Sequence, residues 1–394
     1  MSAPIYICGA SRSAIGKFGG TLKDLWPADL SEPVAKAALA RAGVDPALVD
    51  ETIWGHGRQA GGGPNTARQV AIRAGVPETS PAYTVNQACA SGLLTIGNAA
   101  RLIKLGEADI VLAGGAEAMS RTPYYVLNAR WGVRLGHDQF VDGMYRDGFF
   151  CPLAEELMGA TAETLADRYD ISRQEQDEYA VESQRRAGVA RSAGAFDAEI
   201  VPITVKQRKG SIDFAEDEHM RPGTTVEKLQ RLKAVFRDPG TVHAGNASGV
   251  TDGAAAVVVA SAAAVEKHGL TPMAKLTGYA TAGVGPEVMG IGPVPSTRKL
   301  LAQTGTALGD IDLIELNEAF AAQVIACDRE LHFDRDRLNV HGGSIALGHP
   351  IGATGTRIVV TLLHAMQRRG ARTGMASLCV SGGMGVSALF EAVG

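Results

Sequence analysis

Short apolar segments alternate with amphipathic ones along residues 1–117. Strands are predicted where apolar residues run together, at residues 4–10, 50–57 and 108–120, and the last of these is expected to break at a Gly-Gly pair. Helices are predicted where apolar residues recur at helical spacing, at residues 28–42, 65–75 and 90–105, with Gly43 and Gly106 as stops. This alternation is typical of a mostly parallel sheet with helices on both faces.

The pattern changes between residues 118 and 249, where Tyr, Trp, Arg, Asp and Phe become frequent and the strand rhythm is lost. Helices are predicted near residues 156–170 and after Ser172, which forms a capping box with Glu175. Residues 201–240 are charged and interrupted by proline, which predicts a surface excursion. We interpret the chain as an N-terminal α/β half (1–117), an inserted loop domain (118–249), completion of the first half (250–272) and a C-terminal α/β half (273–394).

The two α/β halves repeat the same order of segments. The strand at residues 50–57 corresponds to the one at 311–320, and the loop and helix at Cys89 correspond to GHPIGATG and its helix. Residues 108–119 correspond in the same way to 374–384. This order predicts an internal duplication in which two helix N-termini meet at one cleft.

Composition and charge exclude several function classes. The net charge of −4 gives no reason to expect nucleic acid or an anionic membrane surface as a partner. No apolar run approaches the length of a membrane span, and the first residues lack the features of a signal peptide. Five cysteines occur, at positions 8, 89, 151, 327 and 379, and no two of them form a CxxC motif. Neither a disulfide framework nor a metal site is therefore supported, and we expect a cytoplasmic, reducing location.

Cys89 is the first candidate for chemistry. It precedes an apolar helix that carries no charge until Arg101, so it stands at the helix N-terminus. Free N–H groups at such an end stabilise a thiolate and lower the thiol pKa. A free cysteine also commonly fills space in a packed core. For Cys89 taken alone, this structural alternative is open.

Polar exceptions in the second half supply the other candidates. His349 lies in GHPIGATG at a helix start, Cys379 ends a buried strand, and Asn317 follows another. The structural alternatives are a hydrogen-bonded turn histidine for His349, a core thiol for Cys379 and an N-cap asparagine for Asn317. Taken together, a thiolate, a histidine that activates it, a second thiol and amide or backbone donors fit a Claisen condensation between thioesters.

Several motifs carry a resemblance that covers essentially the whole chain. They are NQACASG around Cys89, AGNASG at 244–249, NEAF at 317–320, GGSIALGHPIGATG at 342–355 and CVSGGMG at 379–385. In this order and spacing they resemble the thiolase family of acetyl-CoA acetyltransferases and 3-ketoacyl-CoA thiolases. The resemblance implies a five-layered αβαβα fold of two similar halves, with a loop domain inserted in the first.

The resemblance also implies a role for each reactive group. Cys89 would be the nucleophile that becomes an acyl-thioester, and His349 would take its proton and then help to hold the enolate oxygen. Cys379 would abstract the α-proton of the second acyl-CoA, and Asn317 would hold a water in the same oxyanion site. The N–H groups of Cys89 and Ser381 would form the other oxyanion site, and each well-aimed donor supplies about 3 kcal/mol.

The remaining implied contacts are with substrate. Ser248 and Ala244 would lie near the pantetheine, and Arg221 would meet the nucleotide end of CoA. The acyl pocket would be walled by Met158, Met289 and Phe320. Acyl-CoA and CoA would be the partners, no cofactor would be needed, and a homodimer or homotetramer is expected, the latter formed through a loop around residues 127–142.

Four residues depart from the family pattern. Ser381 replaces a usual glycine, His341 a common asparagine and Ser344 a common alanine, and Leu157 stands where acetoacetyl-CoA-forming members often have histidine. The last difference leaves open a 3-ketoacyl-CoA thiolase acting on longer chains in fatty-acid β-oxidation.

Three rival interpretations concern other classes of protein. A decarboxylating ketosynthase-like enzyme would not need Cys379, and a non-catalytic acyl-CoA-binding relative would not need to retain Cys89 and His349. A nicotinamide oxidoreductase is disfavoured because the glycine spacing after Gly348 is GxxxGxxG, not the dinucleotide-binding GxGxxG.

Overall fold

A long twisted sheet runs through the computed structural model, which describes residues 3–393. Its main strands are β1 (Ile5–Ser13), β2 (Glu51–Gly55), β3 (Ala82–Val85), β4 (Ile110–Ala118), β5 (Thr251–Ser261), β6 (Ala274–Gly283), β7 (Leu313–Leu316), β8 (Thr373–Val380) and β9 (Met384–Ala392). They pair in the order β7-β8-β9-β6-β1-β5-β4-β2-β3.

This sheet consists of two halves with the same internal order. The succession β1-β5-β4-β2 in the first half matches β6-β9-β8-β7 in the second. The corresponding pairs β2–β4 and β7–β8 are both parallel, and β4–β5 and β8–β9 are both antiparallel. Within residues 3–393, the strands of the two half-sheets pair with each other where Tyr6 and Ile7 of β1 meet Lys275 and Ala274 of β6. The predicted duplication is therefore present in the topology.

The expectation of a mostly parallel sheet is wrong. Besides the pairs just named, β5 and β6 both run antiparallel to β1, and β9 runs antiparallel to β6. The reason lies in the connections. β8 and β9 are joined by a turn of three residues, 381–383, which is far too short for the crossover that parallel neighbours require.

The helices complete five layers. The long ones are α1 (Pro27–Ala42), α2 (Thr66–Arg73), α3 (Ser91–Leu105), α4 (Met158–Arg168), α5 (Arg173–Ser192), α6 (Ala262–His268), α7 (Pro293–Thr304), α8 (Ala321–Leu331) and α9 (Ile351–Arg369). α3 and α9 lie between the two half-sheets, α1 and α2 cover the outer face of the first, and α7 and α8 cover that of the second. No helix within residues 3–393 has the length and apolarity to cross a membrane.

Burial on both faces explains the apolar strands. In β5 every residue is buried, with Val257 and Val259 turned to the central helices and Val258 to the outer ones. The predicted break at Gly114 and Gly115 does not occur, because both lie inside the continuous strand β4. A Cβ at Gly115 would stand 2.1 Å from the carbonyl oxygen of Gly352, so glycine here permits close packing of α9 on the sheet.

The predicted stops and caps are confirmed. Gly43 and Gly106 adopt left-handed conformations with φ of 68° and 73° at the ends of α1 and α3. Ser172 and Glu175 form the expected reciprocal capping box at the start of α5. These signals involve residues within a few positions of each other, which is why the sequence alone predicts them.

Between β4 and β5 the chain leaves the sheet for a long excursion. Besides α4 and α5 it contains small strand pairs (Tyr124–Tyr125 with Val141–Asp142, Phe150–Cys151 with Glu156–Leu157, and Ile203–Lys206 with Ser211–Phe214) and a short helix, Val226–Gln230. A buried ion cluster ties it to the sheet: Arg12 of β1 contacts Glu199 at 2.6 Å and Asp217 at 2.7 Å. The excursion is therefore anchored on the first half.

Candidate active site

The turn that presents Cys89 is held in an unusual conformation. Ala88 has a positive φ of 45°, which is costly for a residue with a Cβ. The Asn86 Oδ1 accepts a hydrogen bond from the Ala88 N–H at 2.9 Å, and the Ser91 hydroxyl donates to the Ala88 carbonyl at 2.7 Å. A single 3-10 turn, Ala88–Ala90, then leads into α3 and leaves Cys89 8% exposed.

Close contact between α3 and α9 brings the second loop to the same place. The Thr356 hydroxyl donates to the Gly92 carbonyl at 2.9 Å. A Cβ on Gly92 would lie 2.6 Å from the Thr356 nitrogen, and one on Gly355 would lie 2.3 Å from the Leu93 nitrogen. Because glycine lets the two helices touch at their first turns, the residues that precede each helix meet, as the duplication predicted.

Cys89 and His349 line one cavity of about 110 Å³. Ser381, from the turn between β8 and β9, lies on the same wall. Four of the predicted substrate contacts also line the cavity: Met158, Ser248, Met289 and Phe320. The structure therefore gathers residues that are as far apart in sequence as Cys89 and Ser381.

Four other predicted residues lie outside the cavity lining. Cys379 is fully buried at the end of β8, in one core cluster with Met289 and Phe320. Asn317 is fully buried just after β7. Ala244 and Arg221 are exposed on the excursion and do not line the cavity.

The surroundings of Cys89 act on its thiol in opposite directions. Burial raises its pKa, while the Ser381 N–H, the charge of Arg58 and the N–H of Cys89 itself favour the thiolate. The net effect is a raised pKa, so the resting group is a thiol that needs a base. The sequence-based expectation of a lowered pKa is wrong, because it took account of the helix terminus and not of the burial.

His349, which lines the same cavity, is held in one orientation and one tautomer. Its Nδ1 lies 2.7 Å from the Thr354 hydroxyl, which in turn donates to the Pro350 carbonyl at 3.0 Å. The hydroxyl has only one proton, so Nδ1–H donates to it and Nε2 carries the free lone pair. Burial, with the charges of Arg357 and Arg58, lowers the pKa of His349 to about 3, which keeps the imidazole neutral. Nε2 is buried without a hydrogen-bond partner among residues 3–393.

Burial raises the pKa of Cys379 well above that of an ordinary thiol, and the nearby Cys89 sulfur raises it further. Cys379 belongs to the same core cluster as Met289 and Phe320, which line the cavity together with Cys89. A thiolate formed at Cys379 would be a strong base, because its environment disfavours the charge.

Asn317 is oriented by a residue that departs from the family pattern. The Ser344 hydroxyl donates to Asn317 Oδ1 at 2.6 Å, and Arg357 Nη2 donates to the Ser344 oxygen at 2.9 Å. The amide Nδ2 is left buried without a hydrogen-bond partner in the described chain. The Nδ2 donor can therefore be satisfied by a bound water or by an oxyanion.

Of the other three departures from the family pattern, Ser381 lines the cavity, whereas His341 and Leu157 do not. Ser381 has no positive φ, whereas Gly382 and Gly383 after it have φ of 88° and 90°, so the turn accepts a Cβ at Ser381. His341 packs edge-on against Phe196, at 6.0 Å between ring centroids, and does not line the cavity. Leu157 pairs with Phe150 just before α4 and does not line it either.

The sequence analysis did not identify Glu117, a buried carboxylate beside the site. Glu117, at the end of β4, accepts hydrogen bonds from the backbone N–H groups of Gly57 (3.1 Å), Arg58 (3.0 Å) and Gly352 (2.8 Å). Burial would raise its pKa, but His56, Arg58 and Gly352 together hold it below the ordinary value. Glu117 thus fastens the first turn of α9 to the loop after β2. The sequence signal that could have identified it is that Glu117 is the one charged residue in an otherwise apolar strand.

Comparison with known proteins agrees with this geometry. The family model for the N-terminal domain of thiolase matches residues 5–263, and that for the C-terminal domain of thiolase matches residues 270–392. An acetyl-CoA acetyltransferase of Cupriavidus necator is 50% identical over 388 residues, which are 98% of this chain and 99% of that protein.

Two solved structures have the same fold over their full length. A Bacillus anthracis acetyl-CoA acetyltransferase superposes with a TM-score of 0.97 at 47% identity and covers 100% of this chain and 99% of its own. A human mitochondrial 3-ketoacyl-CoA thiolase in complex with CoA superposes with a TM-score of 0.95 at 43% identity and covers 99% and 98%. With two family models spanning nearly the whole chain and the five-layered fold in place, the chain belongs to the thiolase family.

Proposed function

We propose that this protein is an acyltransferase that interconverts two molecules of acetyl-CoA with acetoacetyl-CoA and CoA through an acyl-cysteine intermediate. The observation that carries the proposal is the meeting of Cys89 and His349, each at the start of one of two paired helices, in one cavity, with Cys379 in the same core cluster as the cavity-lining Met289 and Phe320. Full-length relatives bear the name acetyl-CoA acetyltransferase, which supports acetyl-CoA as the substrate.

The first half-reaction acylates Cys89. His349 Nε2 takes the Sγ proton, and the thiolate attacks the thioester carbonyl of acetyl-CoA. The N–H groups of Cys89 and Ser381 hold the resulting oxyanion. The bond from the carbonyl carbon to the CoA sulfur then breaks, and the Cys379 thiol gives its proton to that sulfur. CoA leaves, Cys89 carries the acetyl group, and Cys379 is a thiolate.

The second half-reaction forms the carbon–carbon bond. The Cys379 thiolate removes an α-proton from a second acetyl-CoA, and the enolate oxygen is held by His349 Nε2–H and by a water on Asn317 Nδ2. The enolate carbon attacks the acetyl-Cys89 carbonyl, the bond to Sγ breaks, and Cys89 recovers its proton from His349. The raised pKa of Cys379 suits this step, because an α-proton beside a thioester needs a strong base.

The contacts with CoA follow the family pattern. We propose Ser248 and Ala244 beside the pantetheine and Arg221 at the nucleotide end, with Met158, Met289 and Phe320 around the acyl group. Met289 and Phe320 are buried, Met158 is partly buried and Arg221 is exposed, which supports this order from the inside outwards. The inserted segment 118–249 is, on this proposal, the CoA-binding loop domain between the 1–117 and 250–272 parts of the first half, and 273–394 is the second half.

No cofactor is needed for this chemistry, because the nucleophile, the bases and the oxyanion donors are all groups of the chain itself. We propose a cytoplasmic, reducing location on the same ground, since Cys89 and Cys379 must both remain thiols. All five cysteines are free and buried, which supports that location.

The substrate assignment is tested by thiolysis of 3-ketoacyl-CoA thioesters of rising chain length. We expect acetoacetyl-CoA to have the highest kcat/KM, because Met158, Met289 and Phe320 close the cavity around a small acyl group. A maximum at a longer chain would replace this assignment with a 3-ketoacyl-CoA thiolase of fatty-acid degradation, the alternative that Leu157 leaves open.

The oligomeric state is tested through an exposed apolar segment at residues 127–142. Trp131 is 85% exposed and Leu135 95%, which is unfavourable unless a second copy covers them. We expect light scattering to give a dimer or tetramer of the 41.1 kDa chain, and W131D/L135D to lower the mass of a tetramer to that of a dimer. Leu105→Asp, a change at an isolated exposed leucine, serves as the control. A stable monomer for the unmodified protein would contradict the proposal.

A further inference from the structure

A buried cation lines the reactive cavity and has no role in the chemistry above. Arg58, in the loop after β2, is only 8% exposed, and it lines the same cavity as Cys89 and His349. Its Nε and Nη2 atoms have no hydrogen-bond partner among residues 3–393. A buried guanidinium with unused donors is unfavourable unless an anion or a polar ligand satisfies it.

The neighbouring carboxylates do not satisfy Arg58. Glu117 accepts three backbone N–H groups and lies 3.4 Å from His56 Nε2, so its oxygens are already engaged. Asp147 lines the cavity, but it forms no ion pair with Arg58 in the described chain, and it faces the Tyr125 hydroxyl, where burial and that carboxylate raise the pKa of Tyr125 to about 12.

The surrounding loop is shaped to the guanidinium. The Phe149 ring lies with its centroid 5.0 Å from Arg58 Cζ, a cation–π contact that fixes the plane of the group. A Cβ on Gly148 would stand 1.9 Å from Nη2, so any larger residue there would displace the guanidinium from this position. The packing orients the fork of Arg58 while leaving donors unpaired, as in a preformed anion site.

We propose that Arg58 binds a carboxylate at the far end of the acyl chain, so that the site accepts CoA thioesters of short dicarboxylic acids. The inference rests on the proposed acyl transfer to Cys89. The cavity of about 110 Å³ is far smaller than a pocket for a nucleotide, so the anion belongs to the acyl group and not to the phosphates of CoA. The transfer is unchanged: the bond to the CoA sulfur breaks, the bond to Sγ forms, His349 takes the Sγ proton, Cys379 gives its proton to the CoA sulfur, and the distal carboxylate stays intact.

Matched thioesters test the proposal. Succinyl-CoA and butyryl-CoA have equal chain length and differ in a terminal carboxylate against a methyl group, and glutaryl-CoA and pentanoyl-CoA form a second pair. For each pair we would measure the ratio of kcat/KM for CoA release, with intact mass of the protein reporting acylation of Cys89. We expect the charged member to be favoured by about 10-fold or more in at least one pair, because an apolar end leaves the guanidinium unpaired.

Variants of Arg58 separate selection from activation of the thiol. Since Arg58 also favours the Cys89 thiolate, its loss can slow every substrate, but only a carboxylate-binding role changes the ratio within a pair. We expect Arg58→Met to abolish the preference and Arg58→Lys to restore part of it. Arg121→Met, at an arginine that stacks on Trp26 outside the cavity, is expected to keep the unmodified ratio.

Two results would overturn the inference: no preference for the charged member of either pair, or an unchanged ratio in Arg58→Met. Acetyl-CoA distinguishes this failure from failure of the proposed function. If acetyl-CoA acylates Cys89 while the charged thioesters gain nothing, only the carboxylate site is wrong. If no thioester acylates Cys89, the acyltransferase itself is wrong.

Discussion

Incubation of the protein with acetyl-CoA is expected to add one acetyl group per chain, and Cys89→Ala is expected to abolish both this adduct and turnover. The thioester can form only on a sulfur that reaches the cavity, and Cys89 is the cysteine that lines it. Removal of a covalent nucleophile lowers turnover by on the order of 10⁴-fold or more. Intact mass after rapid quenching measures the adduct, and the condensation assay measures the rate.

The matched control is Cys327→Ala. Cys327 is also buried but lies in the core of the second half, where its Sγ donates to the Gly290 carbonyl. We expect this variant to acetylate like the unmodified protein. An acetyl group that persists in Cys89→Ala would show that another group is the nucleophile, and the assignment of Cys89 would then be wrong.

Cys379→Ser is expected to separate the two half-reactions. A serine hydroxyl is a far weaker acid than a thiol, so it gives its proton less readily to CoA and is not deprotonated to a usable base. Acylation of Cys89 should remain measurable, because His349 and the oxyanion donors are intact, while condensation should fall by about 10²- to 10⁴-fold, the range for loss of a general base.

Two measurements on the same sample check this split. Intact mass reports the acetylated fraction of Cys379→Ser, and a coupled assay reports acetoacetyl-CoA. Exchange of the α-protons of acetyl-CoA in deuterated water gives an independent measure of the base and should fall together with condensation. Condensation at the rate of the unmodified protein would remove Cys379 from the role of base.

Patterns in the sequence predicted most of the local structure. The stops at Gly43 and Gly106 and the capping box at Ser172 and Glu175 were confirmed, because each depends on backbone groups within a few residues. The order of strands and helices also predicted the duplication. Strand direction was predicted wrongly, because alternation with helices does not determine where β1 and β5 insert into the sheet.

For the chemistry of the site, too, the sequence predicted some features and the tertiary structure decided others. The motifs around Cys89, His349 and Cys379 identified these groups as candidates for the chemistry, but their protonation states depend on burial and on charges that come from elsewhere in the chain. Desolvation raises the pKa of the Cys89 thiol although the charge of Arg58 opposes it, and desolvation together with the charges of Arg357 and Arg58 lowers the pKa of His349.

The sequence by itself determined the family, the two matched halves and the reactive residue types, since these are written in local motifs and in their order. Only the tertiary structure decided that Arg58 is an unpaired cation in the cavity, that Glu117 fastens α9 to the loop after β2, and that Ser344 orients Asn317. Whether a charged or polar group is paired, buried or free depends on partners that reach it only when distant segments pack together, and no local pattern encodes that.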